Sequence, residues 1–223
     1  VIEMVGKITQ GMVGTGFLYT NKESISIGVG CLLSDFKRQK ISPYTMLEEM
    51  KAHPGIKPLL EGSEMKEYTA HLIPEGGYNA MPKLYGDGWM IAGDSGMFVN
   101  GVHREGSNLA MTTGQLAAQT VIELKSENKP LNQKNLARYR QKLDASFVMK
   151  DLKKYRRLPH VVEKNQQFFT TYPELINRAA HTLIAVDGID KRTKERAIRR
   201  NFVMKRSRLG LVSDAFKLWR AFE

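Results

Sequence analysis

The stretch from Gly86 to Leu124 constrains the fold more than any other part of this chain. Trp89-Met90-Ile91-Ala92 reads as a short apolar strand that stops abruptly at Gly93-Asp94-Ser95-Gly96. A loop carrying Gly101 and Gly106 follows, and then a helix from Ser107 to Leu124, with Leu109, Thr113, Leu116, Thr120 and Leu124 on one face. A strand that hands over to a helix in this way brings the helix N-terminus close to the strand end. Glycines let backbone approach a ligand, and a carboxylate accepts hydrogen bonds from hydroxyls. The helix start offers unpaired N–H groups and a partial positive charge to an anion. Gly-Asp-x-Gly alone is a weak signal, because an aspartate capping a turn is common. With the glycine loop and helix behind it, the unit points to a ligand that presents hydroxyls and negative charge.

Upstream the pattern is sheet-like. Gly16-Phe17-Leu18-Tyr19, the polar turn Thr20-Asn21-Lys22-Glu23 and the alternating run Ser24 to Cys31 predict an antiparallel hairpin. Its period of two puts Ile25, Ile27, Val29 and Cys31 on one face, so Cys31 reads as a small core residue rather than a nucleophile. Ser42-Pro43 predicts a helix start, with the hydroxyl as N-cap and proline at the first position, and the helix runs to His53-Pro54-Gly55. A further strand is expected over Met65–Ile73. Glu75-Gly76-Gly77-Tyr78-Asn79 reads as an exposed turn.

After Pro130 the chain becomes charged, helical and poor in glycine. Leu136, Tyr139, Leu143 and Phe147 keep helical spacing, and Pro159 and Pro173 mark breaks. Two basic amphipathic helices separated near Gly210 are expected from Asp190 to Phe222. Between Asp187 and Glu223 there are 11 Lys/Arg against 5 Asp/Glu, in a chain of net charge +11. Such a tail suits an anionic membrane face, an acidic protein or nucleic acid, or is a solvated helix face.

Several classes are excluded. No apolar run approaches the roughly 18 residues a membrane span needs, and the first residues have no signal-peptide pattern. One cysteine cannot make an internal disulfide or hold an iron–sulfur cluster, which suits a cytoplasmic location. His53, His71, His160 and His181 show no metal-ligand spacing, so no metal site is expected.

Taken together, Gly93-Asp94-Ser95-Gly96-Met97-Phe98-Val99-Asn100, Gly106 and Ala110–Ala118 resemble the second FAD-binding motif of the electron-transfer flavoprotein:quinone oxidoreductases, and of the bacterial Fix-type flavoproteins in particular. Gly14–Tyr19, His53–Gly62, Glu75–Tyr78 and Met81–Leu84 are similar to further blocks of that family, in the family order. The resemblance covers residues 10–125 by motif and the helical remainder by length and character. It implies an α+β fold that is the C-terminal part of a two-domain FAD-dependent oxidoreductase with a Rossmann-like FAD/NAD(P)-binding fold. Residues 1–86 would be the β-rich remnant of the substrate (quinone) domain. Residues 87–126 would be the returning strand–loop–helix of the FAD domain, and residues 127–223 a helical C-terminal region. Gly93, Asp94, Gly106, Ser107 and Asn108 would bind FAD, with Asp94 on the ribityl chain and the helix start at the flavin pyrimidine edge. Gly76, Gly77 and Tyr78 would lie beside quinone. Tyr78 either lines that pocket or packs in the turn.

The implied activity is electron transfer from an electron-transfer flavoprotein to quinone or a ferredoxin-like protein. It would be carried out in the cytoplasm or peripherally on the inner face of the membrane, with any iron–sulfur cluster supplied by a partner and no nucleic acid involved. Val102, His103 and Glu105 depart from the family's loop. His103 is either a proton relay to reduced quinone or a structural loop residue. Gly11-Met12-Val13-Gly14-Thr15-Gly16 is not the Gly-x-Gly-x-x-Gly fingerprint and leads into strand rather than helix. An N-terminal half carrying that fingerprint is therefore expected to be missing, and the fragment to be inactive alone. A geranylgeranyl-type (isoprenoid) reductase shares a similar Gly-Asp motif and is the alternative enzyme. A basic interaction module is the non-enzymatic alternative. Trp89 reads as core, and Phe168, Phe169 and Tyr172 as helix packing or a lipid-facing cluster.

Overall fold

The computed structural model describes residues 1–222. Among the described residues five strands occur in chain order: β1 (Ile2–Met4), β2 (Gly14–Thr20), β3 (Ile25–Cys31), β4 (Tyr85–Gly86) and β5 (Trp89–Met90). The helices are α1 (Leu33–Gln39), α2 (Pro43–Ala52), α3 (Lys57–Leu60), α4 (Ser107–Ser126) and α5 (Gln133–Ala145). They continue with α6 (Phe147–Lys154), α7 (Leu158–Lys164), α8 (Thr171–Ile184), α9 (Lys191–Lys205) and α10 (Arg208–Phe222). Helices and antiparallel sheet coexist, as in an α+β chain. The chain divides into two compact units, Val1–Tyr68 with Val162–Asp214, and Thr69–Val161 with the segment from Ala215 onward.

The first unit is built on the antiparallel sheet β1-β2-β3, in which Gly16 pairs with Val29 and Leu18 with Ile27. Leu18, Met46, Met50 and Ile56 are buried. The expected hairpin and α2 are both present, and Ser42 accepts a hydrogen bond from the Thr45 N–H as the N-cap. Cys31 is half-buried. Burial first, and then the nearby Asp35 carboxylate, push its thiol up to about 12, so at neutral pH it is a thiol and not a nucleophile. Asp35 is itself buried, and accepts from Val13 N at 2.8 Å and pairs with Arg38 at 2.7 Å.

In the same unit, α8 and α9 pack as a pair. Asp190 caps α9 by accepting from Thr193 N, and the buried Lys194 pairs with Asp187 at 2.7 Å. Asp214 is also buried, and receives Tyr172 Oη at 2.8 Å, Gln167 Nε2 at 3.1 Å and both arms of Arg206 at 2.8 and 2.9 Å. Burial pushes the Asp214 carboxyl up, but the bonds from Arg206, Tyr172 and Gln167 outweigh it and hold the group down at about 2. Phe168 stacks on Tyr172 within this network, with ring centroids 5.6 Å apart.

The second unit joins the β4–β5 hairpin to α4, α5 and α6. Gly88 turns the hairpin with φ +78°, a conformation glycine adopts without steric cost. Leu84, Phe98, Leu109, Tyr139, Leu143, Val148, Met149 and Leu152 form its core. Four of the five residues expected on the inner face of α4 are buried, and Leu116 packs partly against the core. Across α4 and α5, Arg138 makes a two-armed pair with Glu127 at 2.6 and 2.8 Å, and Lys142 pairs with Glu123 at 2.6 Å.

Four expectations are corrected. Residues 65–73 form no strand: no edge pairs with them, and Met65, Leu72 and Ile73 stay exposed. Trp89 is 42% exposed in the two-residue strand β5, where Lys83 Nζ stands 6.0 Å from its ring centroid. Phe147 is exposed at the start of α6, since α5 ends at Ala145 and the helical phase is broken. Gly210 lies inside α10. The helices part instead at Arg206-Ser207, where Arg206 is extended to reach Asp214. Pro159 and Pro173 fall in the first turns of α7 and α8, where a missing N–H costs nothing. Among the described residues, no helix is long and apolar enough to cross a membrane.

Candidate functional site

The strand-to-helix unit is held from beneath by two buried hydroxyls. Tyr139, fully buried on α5, donates to the Ile91 carbonyl at 2.8 Å and so anchors the segment leading to the motif. Burial raises its phenol to about 12, so it stays a donor. Thr113, fully buried on α4, accepts from the Gly93 N–H at 3.0 Å while donating to the Leu109 carbonyl at 2.8 Å. One side chain thereby fixes the distance between the strand end and the helix.

Gly93 has φ +72°, and a short 3₁₀ turn over Asp94–Gly96 follows it. The Gly93 carbonyl closes the turn by accepting from Gly96 N at 3.0 Å. Phe98 then drops into the core, and a methyl group on Gly96 would stand 2.6 Å from its ring. Asp94 points away from all this. It is exposed, and among the described residues its carboxylate has no hydrogen-bond or ion-pair partner.

The loop from Asn100 to Glu105 is a closed miniature. The two residues exchange backbone hydrogen bonds at 2.8 and 3.1 Å, and the buried Asn100 side chain accepts from Val102 N and His103 N. Glu105 reaches Asn100 Nδ2 at 3.3 Å and Asn108 Nδ2 at 3.1 Å, tying the loop to the first turn of α4. Gly106 stands at the N-cap with no side-chain cap on the helix, and a methyl group there would meet nothing within 4 Å. Ser107 and Asn108 are exposed in the first turn, where Asn108 Oδ1 accepts from the Leu109 N–H at 3.0 Å. A helix whose N-cap residue provides no side-chain cap, tied through Thr113 to the Gly93 N–H beside an unpartnered carboxylate, has the donor and acceptor types for a ligand that carries both hydroxyls and an anionic edge.

The glycine pair is brought against this unit. A methyl group on Gly76 would lie 3.5 Å from Met97 Sδ and 2.5 Å from Ala80 Cβ, so only glycine fits there. Glu75 Oε2 lies 3.9 Å from where a Gly101 methyl would stand. Gly77, at φ +67°, opens a 3₁₀ turn over Tyr78–Ala80, and Tyr78 packs partly buried against the core. His103 is not free in its loop, because Nε2 is 2.9 Å from Tyr155 Oη. Thr113, Asn100, Glu105 and Tyr155 are the supporting residues that sequence reasoning did not assign to the site. Thr113 was visible as a member of the helix face and of the Ala110–Ala118 block, without a role of its own, and Tyr155 lies 52 positions from its partner.

Comparison with known proteins places this chain in a family. The model for the ETF-QO/FixC family C-terminal domain matches residues 158–223, and the model described as ETF-QO, ubiquinone-binding matches residues 3–73. The "Protein FixC" of Azotobacter vinelandii is 68% identical over 222 residues, which cover 100% of this chain and 52% of that protein. The "Protein FixC" of Rhizobium leguminosarum is 48% identical over 157 residues, 70% of this chain and 96% of that protein. A protein of Escherichia coli K12 named "Probable electron transfer flavoprotein-quinone oxidoreductase YdiS" is 40% identical over 185 residues, 82% of this chain and 43% of that protein. The chain belongs to the ETF-QO/FixC family. It spans about half the length of the first curated relatives it matches. Gly93, Asp94, Gly106, Ser107 and Asn108 lie between the two matched spans, and Gly76, Gly77 and Tyr78 just beyond the end of the first.

Proposed function

We propose that this chain forms the second half of the flavin site of a FAD-dependent oxidoreductase. The whole protein would take electrons from an electron-transfer flavoprotein and pass them to quinone or to a ferredoxin-like protein. The observation that carries the reading is the open pairing of Asp94 with an uncapped helix start at Gly106, in a chain of this family. The name of the Escherichia coli relative, "Probable electron transfer flavoprotein-quinone oxidoreductase YdiS", supports the same class of reaction.

The residues present fit FAD. Asp94 accepts hydrogen bonds from ribityl hydroxyls, and Gly93, with its positive φ, turns the chain so that this carboxylate faces out. Gly106, Ser107 and Asn108 present N–H groups to the pyrimidine edge and favour the negative charge that reduction leaves there. The flavin supplies the acceptance and release of electrons; the chain binds, orients and tunes it. Gly76, Gly77 and Tyr78 receive the quinone headgroup next to Met97. His103 is the group able to move a proton at this edge, and its bond to Tyr155 holds Nε2 in place. In this reading residues 1–86 belong to the quinone domain, 87–126 to a Rossmann-like FAD domain and 127–223 to a helical C-terminal region. Any iron–sulfur cluster belongs to the partner, and the protein works in the cytoplasm, peripherally on the inner face of the membrane.

The test is quinone reduction by the full-length protein with reduced electron-transfer flavoprotein as donor. Turnover that stops when flavin is stripped and returns with added FAD supports the reading. Turnover that is indifferent to flavin removal contradicts it.

A further inference from the structure

We infer that residues 64–73 are a docking segment, covered in the full-length protein by a β-strand from the part of that protein outside this chain. Among the described residues, no backbone N–H or C=O between Glu64 and Gly76 takes part in a hydrogen bond, and every residue from 61 to 73 is exposed. Bonding stops and resumes at the two ends. Ser63 N donates to the Leu60 carbonyl at 3.0 Å, and Ala80 N to the Gly77 carbonyl at 3.1 Å. A run of unspent backbone donors and acceptors is a template on which another strand can pair.

The side chains are of the wrong kind for a solvated spacer. Spacers that stay in water are rich in Gly, Ser, Pro and charge. Here the charged residues Glu64, Lys66 and Glu67 gather at one end, while Met65, Tyr68, Leu72 and Ile73 all face water, Leu72 at 78% exposure. The stretch Tyr68-Thr69-Ala70-His71-Leu72-Ile73 carries aromatic and β-branched residues over about the length of an average strand. Its limits are those of a strand as well. Gly62 turns the chain at φ +74°, and Pro74 has no N–H to give to a ladder. Tyr68 is already placed, edge-on to Tyr44 with ring centroids 5.9 Å apart.

The occupant follows from two further facts. The ubiquinone-binding family model extends to residue 73, so the segment lies within a folded domain of the family. The chain spans about half the length of the first curated relatives it matches, which leaves a comparable length of protein to supply the strand. A strand in the same molecule acts at an effective concentration of about millimolar or above, ahead of a second copy or a separate partner. The segment runs directly into Glu75-Gly76-Gly77-Tyr78, so its pairing also holds the turn assigned to the quinone headgroup. That role rests on the function proposed above; the pairing itself does not.

The test is hydrogen–deuterium exchange of the full-length protein, followed by mass spectrometry across residues 64–76. The amides of residues 66–73 are expected to exchange about hundredfold or more slowly than in an unstructured peptide of the same sequence, at every protein concentration. A photo-crosslinker, p-benzoylphenylalanine, carried at Tyr68 is expected to join the segment to a peptide of the same molecule outside residues 1–223. Both readouts are independent of flavin, so the pairing can fail while the flavin reading holds, and the reverse. Exchange as fast as in the peptide, or protection that appears only at high protein concentration, overturns the proposal. So does a cross-link to a second copy or back into residues 1–223.

Discussion

Two glycine-rich stretches of this chain look alike in sequence and do opposite things. In Gly11–Gly16 the room left by the missing side chains is filled by the chain itself. A methyl group on Gly14 would stand 2.1 Å from the Gly30 carbonyl and 2.4 Å from Cys31 Sγ, and one on Gly16 would stand 3.1 Å from Met50. In Gly93–Gly106 the room at the helix start is left open, and a methyl group on Gly106 would meet nothing within 4 Å. The carboxylates follow the same division. Asp35, beside the first stretch, is buried and bonded to Val13 and Arg38; Asp94, in the second, is exposed and unpartnered among the described residues. Glycine content is therefore a poor guide to function, whereas unfilled space next to unspent hydrogen-bonding groups is a good one.

The largest expected effect separates the two stretches directly. Gly14→Ala should lower stability by about 3 kcal/mol in chemical denaturation, because the new methyl overlaps backbone and cannot be accommodated by a side-chain shift. Gly106→Ala should cost no more than about 1 kcal/mol, the difference between glycine and alanine at an N-cap. Equal losses would break the comparison.

Asp214 sharpens it, as a carboxylate whose bonding capacity is used internally. Asp214→Asn should cost about 2–3 kcal/mol at neutral pH, since it weakens a buried, charge-assisted network. Asp94→Ala should change stability by no more than about 0.5 kcal/mol. The folded Asp214 carboxyl titrates at about 2, below its ordinary value of 3.8. Its stabilisation is therefore complete above about pH 4 and lost as the pH falls towards 2. Denaturation curves of wild type and Asp214→Asn should differ above pH 4 and converge below 2; a constant gap would exclude the linkage. The smallest effect is at Cys31, whose thiol at about 12 should alkylate far more slowly at pH 8 in the folded chain than in denaturant. Equal rates would mean that the sheet does not shield it.

Much of the fold was legible because local rules and tertiary packing agreed. The Ser42-Pro43 helix start, the β2–β3 hairpin and the inner face of α4 each carry both a local signal and a surface to bury against. Where only one was present the reading failed. Met65–Ile73 has strand-like residues but no edge to pair with, and Gly210 looks like a break that the Arg206–Asp214 bond moves a few residues upstream. At the site, Asp94 and the glycines stood out because they are contiguous. The supporting bonds of Thr113 and Tyr155 did not, since their partners are brought together by packing from more distant parts of the sequence.

The central claim is that the open side of the strand–loop–helix unit is half of a flavin site with Asp94 on it. It is tested most directly by the visible absorption spectra of the full-length protein and its Asp94→Ala variant, purified in parallel and matched for folding by circular dichroism. The account predicts flavin bands in the wild type and a loss of about tenfold or more in flavin affinity in the variant. A folded variant retaining flavin as well as the wild type, or a wild type that takes up none when FAD is added, would contradict it.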